Sequence, residues 1–188
     1  MLTSIQEEAE RLNRFIGNIL DMTRLDAGAL KPRADWIDLL EVFDNVKERV
    51  AKRSPGRPLR IVAPAAVPAI RGDALLLEQA VLNVVENALV HAPADSEIRL
   101  GAEYSARAVR LWVEDDGPGV PASERSQIFD KFHRLKGTQN TQGAGLGLAI
   151  SKGFVEAMQG GVRALNGSDG RGLRVEFEFP LHAALENS

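Results

Sequence analysis

The chain contains no cysteine, which excludes a disulfide framework, a thiolate zinc site and a cysteine nucleophile. It has no concentrated run of Lys and Arg. With a formal net charge of −3 and a pI near 5.7, it lacks the basic stripe expected of a nucleic-acid partner. Long apolar runs are missing too. "IVAPAAVPAI" is broken by prolines and "DALLLEQAVLNVV" by Glu78, so neither reaches the ~20 residues that a membrane helix needs. The start, "MLTSIQEEAERLNR", is acidic and polar and does not read as a signal peptide. The expectation is a cytoplasmic segment without nucleic-acid or membrane contact. Its 188 residues, 44% hydrophobic, suffice for one good core and a short appendage.

Along residues 2–27, apolar side chains recur at Ile5, Leu12, Phe15, Ile19 and Met22, a three-and-four spacing that predicts an amphipathic helix. Periodicity leaves two readings open: a helix lying on its own domain, or one seam of a helical bundle. Gly28 and Pro32 then break the pattern. Further helices are expected over 38–52, over 74–91 with Asp73 as N-cap, over 122–130 and over 145–159. Strands are expected in "LRIVAP", in "SEIRLGAEYS" and "AVRLWVED" joined by a short turn, and near 162–165 and 173–179. Hairpins mixed with helices point to an α+β layer structure and not to a regular βαβ alternation.

Four clusters carry the chemistry. The stretch "QGAGLGLAISKG" (142–153) sets glycines before a helix, where backbone N–H groups can close on an anion such as phosphate. It does not follow a strand, as a dinucleotide fingerprint must, and Gly147 is followed by Leu148, not by the Lys of a Walker loop. A plain hinge before a packed helix is the alternative. In "LEQAVLNVVENALVHAP", Gln79, Asn83 and Asn87 lie four apart and form one polar stripe. Such amides suit Mg²⁺ or phosphate oxygens, or they simply face solvent. In "VEDDGPGVP", Asp115 leaves a strand end before Gly117, Pro118 and Gly119. A carboxylate fixed there can accept from the amino group of adenine and repel the oxygen that guanine places at the same position; an ordinary connecting loop is the other reading. In "IFDKFHRLKG", Phe129 and Phe132 are expected to pack in the core and to anchor a mobile polar cover over 133–144.

Taken in order, the Asn stripe, "DDGPG", "FDKF" and "GAGLGL" resemble the N box, first glycine box, F box and second glycine box of sensor histidine kinases and the wider gyrase, Hsp90 and MutL group. "RLNRFIGNILDMTRLDAGAL" resembles the second helix of a kinase dimerisation hairpin. "DMTRLDAGAL" and "GFVEAMQGG" are similar to the potassium-responsive, turgor-sensing kinases. The resemblance implies a Bergerat-type fold, a two-layer sandwich of a mixed β-sheet and helices. It divides the chain into a hairpin helix (1–30), a linker (31–37), an ATP-binding catalytic domain (38–182) and a tail (183–188).

The resemblance also implies ATP and Mg²⁺ as cofactors. Asn87 would be the metal ligand, with Asn83 near metal and phosphates. Asp115 would read adenine, with Gly117 and Gly119 letting the ring approach. Gly143, Gly145, Leu146, Gly147 and Leu148 would form the lid, and Arg134 or Lys136 would meet the γ-phosphate. Many relatives carry Lys and then an aromatic residue where this chain has Val90 and His91, so His91 either stacks on adenine or is merely structural.

The implied activity is protein-histidine kinase. The implied partners are a response regulator, through the full-length and membrane-anchored parent, and an intact dimerisation hairpin, in trans or as a homodimer. None of the three histidines, His91, His133 and His182, sits in an acceptor box, so autophosphorylation of this chain alone is not expected. An ATP hydrolase using Glu86 as base and a nucleotide-gated binding module are the competing readings.

Overall fold

The computed structural model describes residues 2–54, 56–135 and 144–181. In chain order its elements are α1 (Leu2–Asp26), β1 (Asp35–Ile37), α2 (Leu39–Arg53), β2 (Leu59–Val62), β3 (Ile70–Gly72), α3 (Ala74–His91), β4 (Ile98–Tyr104) and β5 (Ala108–Glu114). A 3₁₀ turn (Gln127–Phe129), α4 (Gly147–Ala157), β6 (Gly161–Asn166) and β7 (Leu173–Pro180) follow. Both central helices start where the sequence provides a cap. The Asp38 carboxylate accepts from Leu40 N at 2.8 Å, and Asp73 accepts from Leu75 N at 3.1 Å and Leu76 N at 3.3 Å, satisfying N–H groups that the helix itself cannot. Leu39, Val42, Phe43, Val46 and Val50 of α2 are buried at the three-and-four spacing that gives a helix one apolar face.

Five strands form one mixed sheet in the order β2-β4-β5-β7-β6. β2 runs parallel to β4, and the other neighbours are antiparallel. Strand alternation divides the sheet into two unlike faces. Ile98, Leu100, Val109, Leu111, Val113, Val175, Phe177 and Phe179 are buried in the core. On the opposite face the register sets charges of opposite sign side by side: Arg99 against Glu114, Glu103 against Arg110, Arg110 against Glu178, Glu114 against Arg174 and Arg163 against Glu176. Arg174 also lies over the Trp112 ring, 4.2 Å from its centroid. Cross-strand pairing of this kind lets a sheet face remain polar without losing register. The architecture is the expected α+β sandwich.

Several elements depart from the sequence expectation. Residues 35–37, placed in the linker, form β1, which pairs antiparallel with β3. The helix expected over 122–130 is reduced to a chain of tight turns and one 3₁₀ turn, with Glu124 N bonded to Pro121 O and Gln127 N to Glu124 O. A segment this short cannot offset the cost of nucleating an α-helix. α4 starts at Gly147 and not at 145, because Gly145 has φ +69°, outside right-handed helix. The two phenylalanines separate: Phe129 is buried, whereas Phe132 is 67% exposed.

Among its described side chains, α1 docks at its C-terminal end, where Met22 and Leu25 pack against the core. Leu25 fills the notch that Gly153 leaves on α4, where an added Cβ would come within 2.6 Å of Leu25 Cδ1, and Asp26 pairs with Lys131. Further back, Leu12, Phe15, Ile16, Ile19 and Leu20 are exposed. Over residues 12–20 the helix therefore turns its apolar side chains to solvent and not onto its own domain.

Candidate functional site

The site lies where α3, the end of β5, the 3₁₀ segment and the start of α4 converge. A pocket of about 140 Å³ is lined by Asn87, His91, Asp115, Gly119, Arg134, Gly145 and Leu148, far above the ~10–15 Å³ needed for one water. Seven of the residues singled out in the sequence thus share one cavity. Pro118, Val120, Ile128, His133, Leu135 and Leu173 complete its wall.

Asp115 is buried, 5% exposed, one residue beyond β5. Its Oδ1 accepts from Gly117 N at 2.7 Å and from Leu173 N at 3.4 Å. Oδ2 has no hydrogen bond to the described residues, so one carboxylate oxygen is held and the other is available. Burial pushes the Asp115 carboxyl above its ordinary value; the two backbone bonds oppose the rise, Asp116 adds to it and His91 counters it. His91, at the last turn of α3, is half-buried in the same pocket. Burial lowers its pKa, Asp115 raises it and Arg134 lowers it again, with a net fall below 6.5, which favours neutral imidazole at neutral pH.

The Asn stripe does not face solvent. Asn83 is 7% exposed; it accepts from Gln79 Nε2 at 2.9 Å and donates to Gly147 O at 3.3 Å. Ser151 Oγ adds a bond to Ala80 O at 2.9 Å. These contacts pin α4 against α3, and the Asn83 amide is occupied in holding the two helices instead of lining the pocket. Asn87, one turn on, lines the pocket, and its amide makes no hydrogen bond to the described residues. One stripe therefore divides into a residue that fixes the frame and a residue that faces the pocket.

The glycines divide in the same way. Gly119 has φ +72° and an added Cβ would lie 2.8 Å from Gly172 O; Gly145 has φ +69° and a Cβ would lie 2.9 Å from His133 O. Both positions need glycine for conformation and for space. Gly117 acts through its N–H on Asp115 and does not line the pocket. At Gly147 a Cβ would make ordinary contact, 3.8 Å from Asn83 Cβ. Leu146, expected at the ligand, is 1% exposed: its apolar side chain is drawn into the core beneath the start of α4 and away from the pocket. Lys136, Gly143 and most of the expected cover (136–143) lie outside the described residues. Among the described residues no side chain caps the first turn of α4, which leaves its positive helix end turned to the pocket side.

Within a two-layer sandwich the site thus joins a buried carboxylate at a strand end, an amide on the facing helix and a glycine-started helix opposite. Residues 72–183 match the family described as "Histidine kinase-, DNA gyrase B-, and HSP90-like ATPase". The chain belongs to this family. Within it, the sensor protein KdpD of Mycobacterium tuberculosis is 34% identical over 183 residues, which are 95% of this chain and 21% of that protein. The structure of full-length ShkA in complex with AMPPNP superposes with TM-score 0.79 at 30% identity, covering 94% of this chain and 37% of that one. The mycobacterial sensor histidine kinase MprB gives TM-score 0.68 at 29% identity, covering 78% of this chain and 97% of that one. The chain is the ATP-binding catalytic domain type of the sensor histidine kinases, and it spans about a fifth of the length of the KdpD proteins it matches.

Proposed function

We propose that this domain binds Mg-ATP in the pocket between α3 and α4 and presents the γ-phosphoryl group to a histidine carried by a dimerisation hairpin. The observation that carries the reading is Asp115, a buried carboxylate with one oxygen held by two backbone N–H groups and one oxygen left for the pocket. That oxygen accepts the exocyclic amino group of adenine. Guanine would set its own acceptor against it, a mismatch that a buried polar site penalises strongly. The open N-terminus of α4, with Arg134 on the facing wall, supplies positive potential for the phosphates.

Mg²⁺ fits the donors present. Among the described residues no group of three or more His, Cys, Asp or Glu could hold a metal, so an all-protein cage is absent there. A single amide oxygen from Asn87 matches the way Mg²⁺ is held, through one or two protein ligands with phosphate oxygens and waters completing the shell. The bound ion would neutralise phosphate charge. The protein's own part is positioning: Asp115 fixes the base, α4 the phosphates, and Asn83 the distance between the two helices. In-line transfer is mostly a matter of such placement.

The hydrolase reading loses its base. Glu86 pairs with Arg53 of α2, and among the described residues Asp115 is the only carboxylate that lines the pocket, committed to the base and not to water. The exposed apolar face of α1 supports its reading as one helix of a bundle, with residues 1–30 as the second helix of a dimerisation hairpin, and the KdpD relatives support a potassium-responsive parent acting through a response regulator. Among the described residues no helix is long and apolar enough to cross a membrane; we place the segment on the cytoplasmic side of an anchored parent. Mixing the 188-residue chain with labelled Mg-ATP and a separate acceptor hairpin tests the proposal. Acid-labile phosphate should form on the hairpin and not on this chain. Release of free phosphate without labelled hairpin would favour a hydrolase instead.

A further inference from the structure

The nucleobase half of the pocket has a support that lies outside the four sequence boxes. Leu173, whose N–H reaches Asp115 Oδ1 at 3.4 Å and whose carbonyl accepts from Asp115 N at 3.0 Å, is the first residue of β7. It follows the loop 167–172, "GSDGRG". That loop is pressed onto the site: a Cβ on Gly172 would sit 1.7 Å from Asp115 O, and one on Gly119 would sit 2.8 Å from Gly172 O. Backbone packed this closely transmits any shift of the loop to the carboxylate.

Two tethers fix the loop. Glu114, adjacent to Asp115, is 1% exposed although it lies on the charged face of the sheet. Its Oε1 accepts from Ser168 Oγ at 2.6 Å, from Ser168 N at 3.1 Å and from Arg99 Nη2 at 3.0 Å. On the other side Arg125 donates to Val120 O at 3.1 Å and to Asn166 Oδ1 at 2.5 Å, joining the pocket wall after Gly119 to the start of the loop. Short bonds to an ionised acceptor are the strong ones. A hairpin needs no such bonds to turn, and both tethers end beside the residues that face the base.

We propose that Glu114 and Ser168 form a latch that holds the β6–β7 loop against the pocket, making them positioning residues for Asp115 and so for the choice of adenine over guanine. The latch acts through Leu173 N and the Gly172–Gly119 contact, and neither latch residue touches the nucleotide. The inference rests on the reading of the pocket as an ATP site.

The test is calorimetric titration of the chain with ATP and with GTP in wild type, Ser168→Ala, Ser168→Thr, Asp115→Asn and the Ser168→Ala/Asp115→Asn double variant, with Glu114→Gln as a second break. Ser168 is exposed, so Ser168→Ala removes one hydroxyl without opening the core. It should weaken ATP by about threefold to tenfold, the scale of one charge-assisted bond partly transmitted, and reduce the ATP-to-GTP ratio. Ser168→Thr, which keeps the hydroxyl, should bind as wild type. In the Asp115→Asn background, Ser168→Ala should change the ratio no further, because residues acting through one group are not additive. A merely structural role would lower the melting temperature and leave the ratio unchanged. Wild type binding ATP while Ser168→Ala matches it in affinity and ratio would overturn the latch alone; wild type binding no adenine nucleotide would overturn the reading of the pocket and the latch with it.

Discussion

Asp115→Asn separates the two things a buried carboxylate does. In the fold, Oδ1 accepts from Gly117 N and Leu173 N, and an asparagine oxygen can accept the same two bonds. Burial is the largest influence on this carboxyl and works against its charge. Removing the charge therefore costs little, and stability at neutral pH should stay within about 1 kcal/mol of wild type. In the proposed ATP complex, the substitution puts an NH₂ donor where Oδ2 would face the amino group of adenine. A hydrogen bond to a charged partner contributes about 1.5–3 kcal/mol, so ATP affinity should fall roughly tenfold to a hundredfold. GTP should lose less, since its oxygen now meets a donor. Urea denaturation measures the first quantity and isothermal titration calorimetry the second. The pH profile adds a check: wild-type affinity should fall as pH drops through the raised pKa of Asp115, which protonates the acceptor, and the variant should lack that fall. A variant as stable as wild type that binds ATP equally well would refute the assignment of Asp115 to the base. Loss of folding would refute the claim that Asn satisfies the same backbone groups.

Gly145→Ala should cost about 1 kcal/mol or more of stability from φ +69° alone, and the Cβ crowding His133 O should also weaken ATP measurably by calorimetry. Phe177→Ala, at a position 1% exposed in the core, should destabilise by about 3–5 kcal/mol in urea titration. Burial pushes the Glu114 carboxyl up, but bonds from Ser168 and Arg99 outweigh it and hold the pKa below 4.5. Its contribution to stability is then fully present above pH 4.5 and is lost as pH falls through the lower folded value. Urea midpoints of Glu114→Gln should accordingly vary less than wild type's across that acid range.

The helices were readable from the chain because their signals are local. Asp73 stands at the cap of α3, and apolar residues return every three or four positions in α2, which starts one residue after the expected position because Asp38 is its cap. The long strands were readable for the same reason, since β5 and β7 alternate core and charge. β1 and β3 were not: each has three residues, and each exists because the other supplies its hydrogen bonds. The site shows the same division. Asp115, Gly119 and Gly145 announce themselves through turn chemistry in one dimension. Leu173 carries no local mark and reaches the pocket only because β7 pairs with β5. Gln79, Asn83 and Asn87 look equivalent in sequence, and it is α4, crossing α3 at Asn83, that occupies one amide and leaves another facing the pocket. The spacing of Phe132 from Phe129 predicts a shared face, whereas its backbone, at φ +61°, turns it outward beside Gly145, whose carbonyl accepts from Phe132 N at 3.0 Å.

The central claim is that Mg-ATP occupies the pocket between α3 and α4, and ¹⁵N-resolved NMR titration of the 188-residue chain with Mg-ATP tests it most directly. The account predicts saturable shifts at the amides of Asn87, His91, Asp115, Gly119 and Gly145 and at the first turn of α4, with the α1–α4 groove around Leu25 and Gly153 unaffected. No shifts at millimolar Mg-ATP, or shifts centred on that groove with the Asp115 and Gly145 amides unmoved, would contradict it.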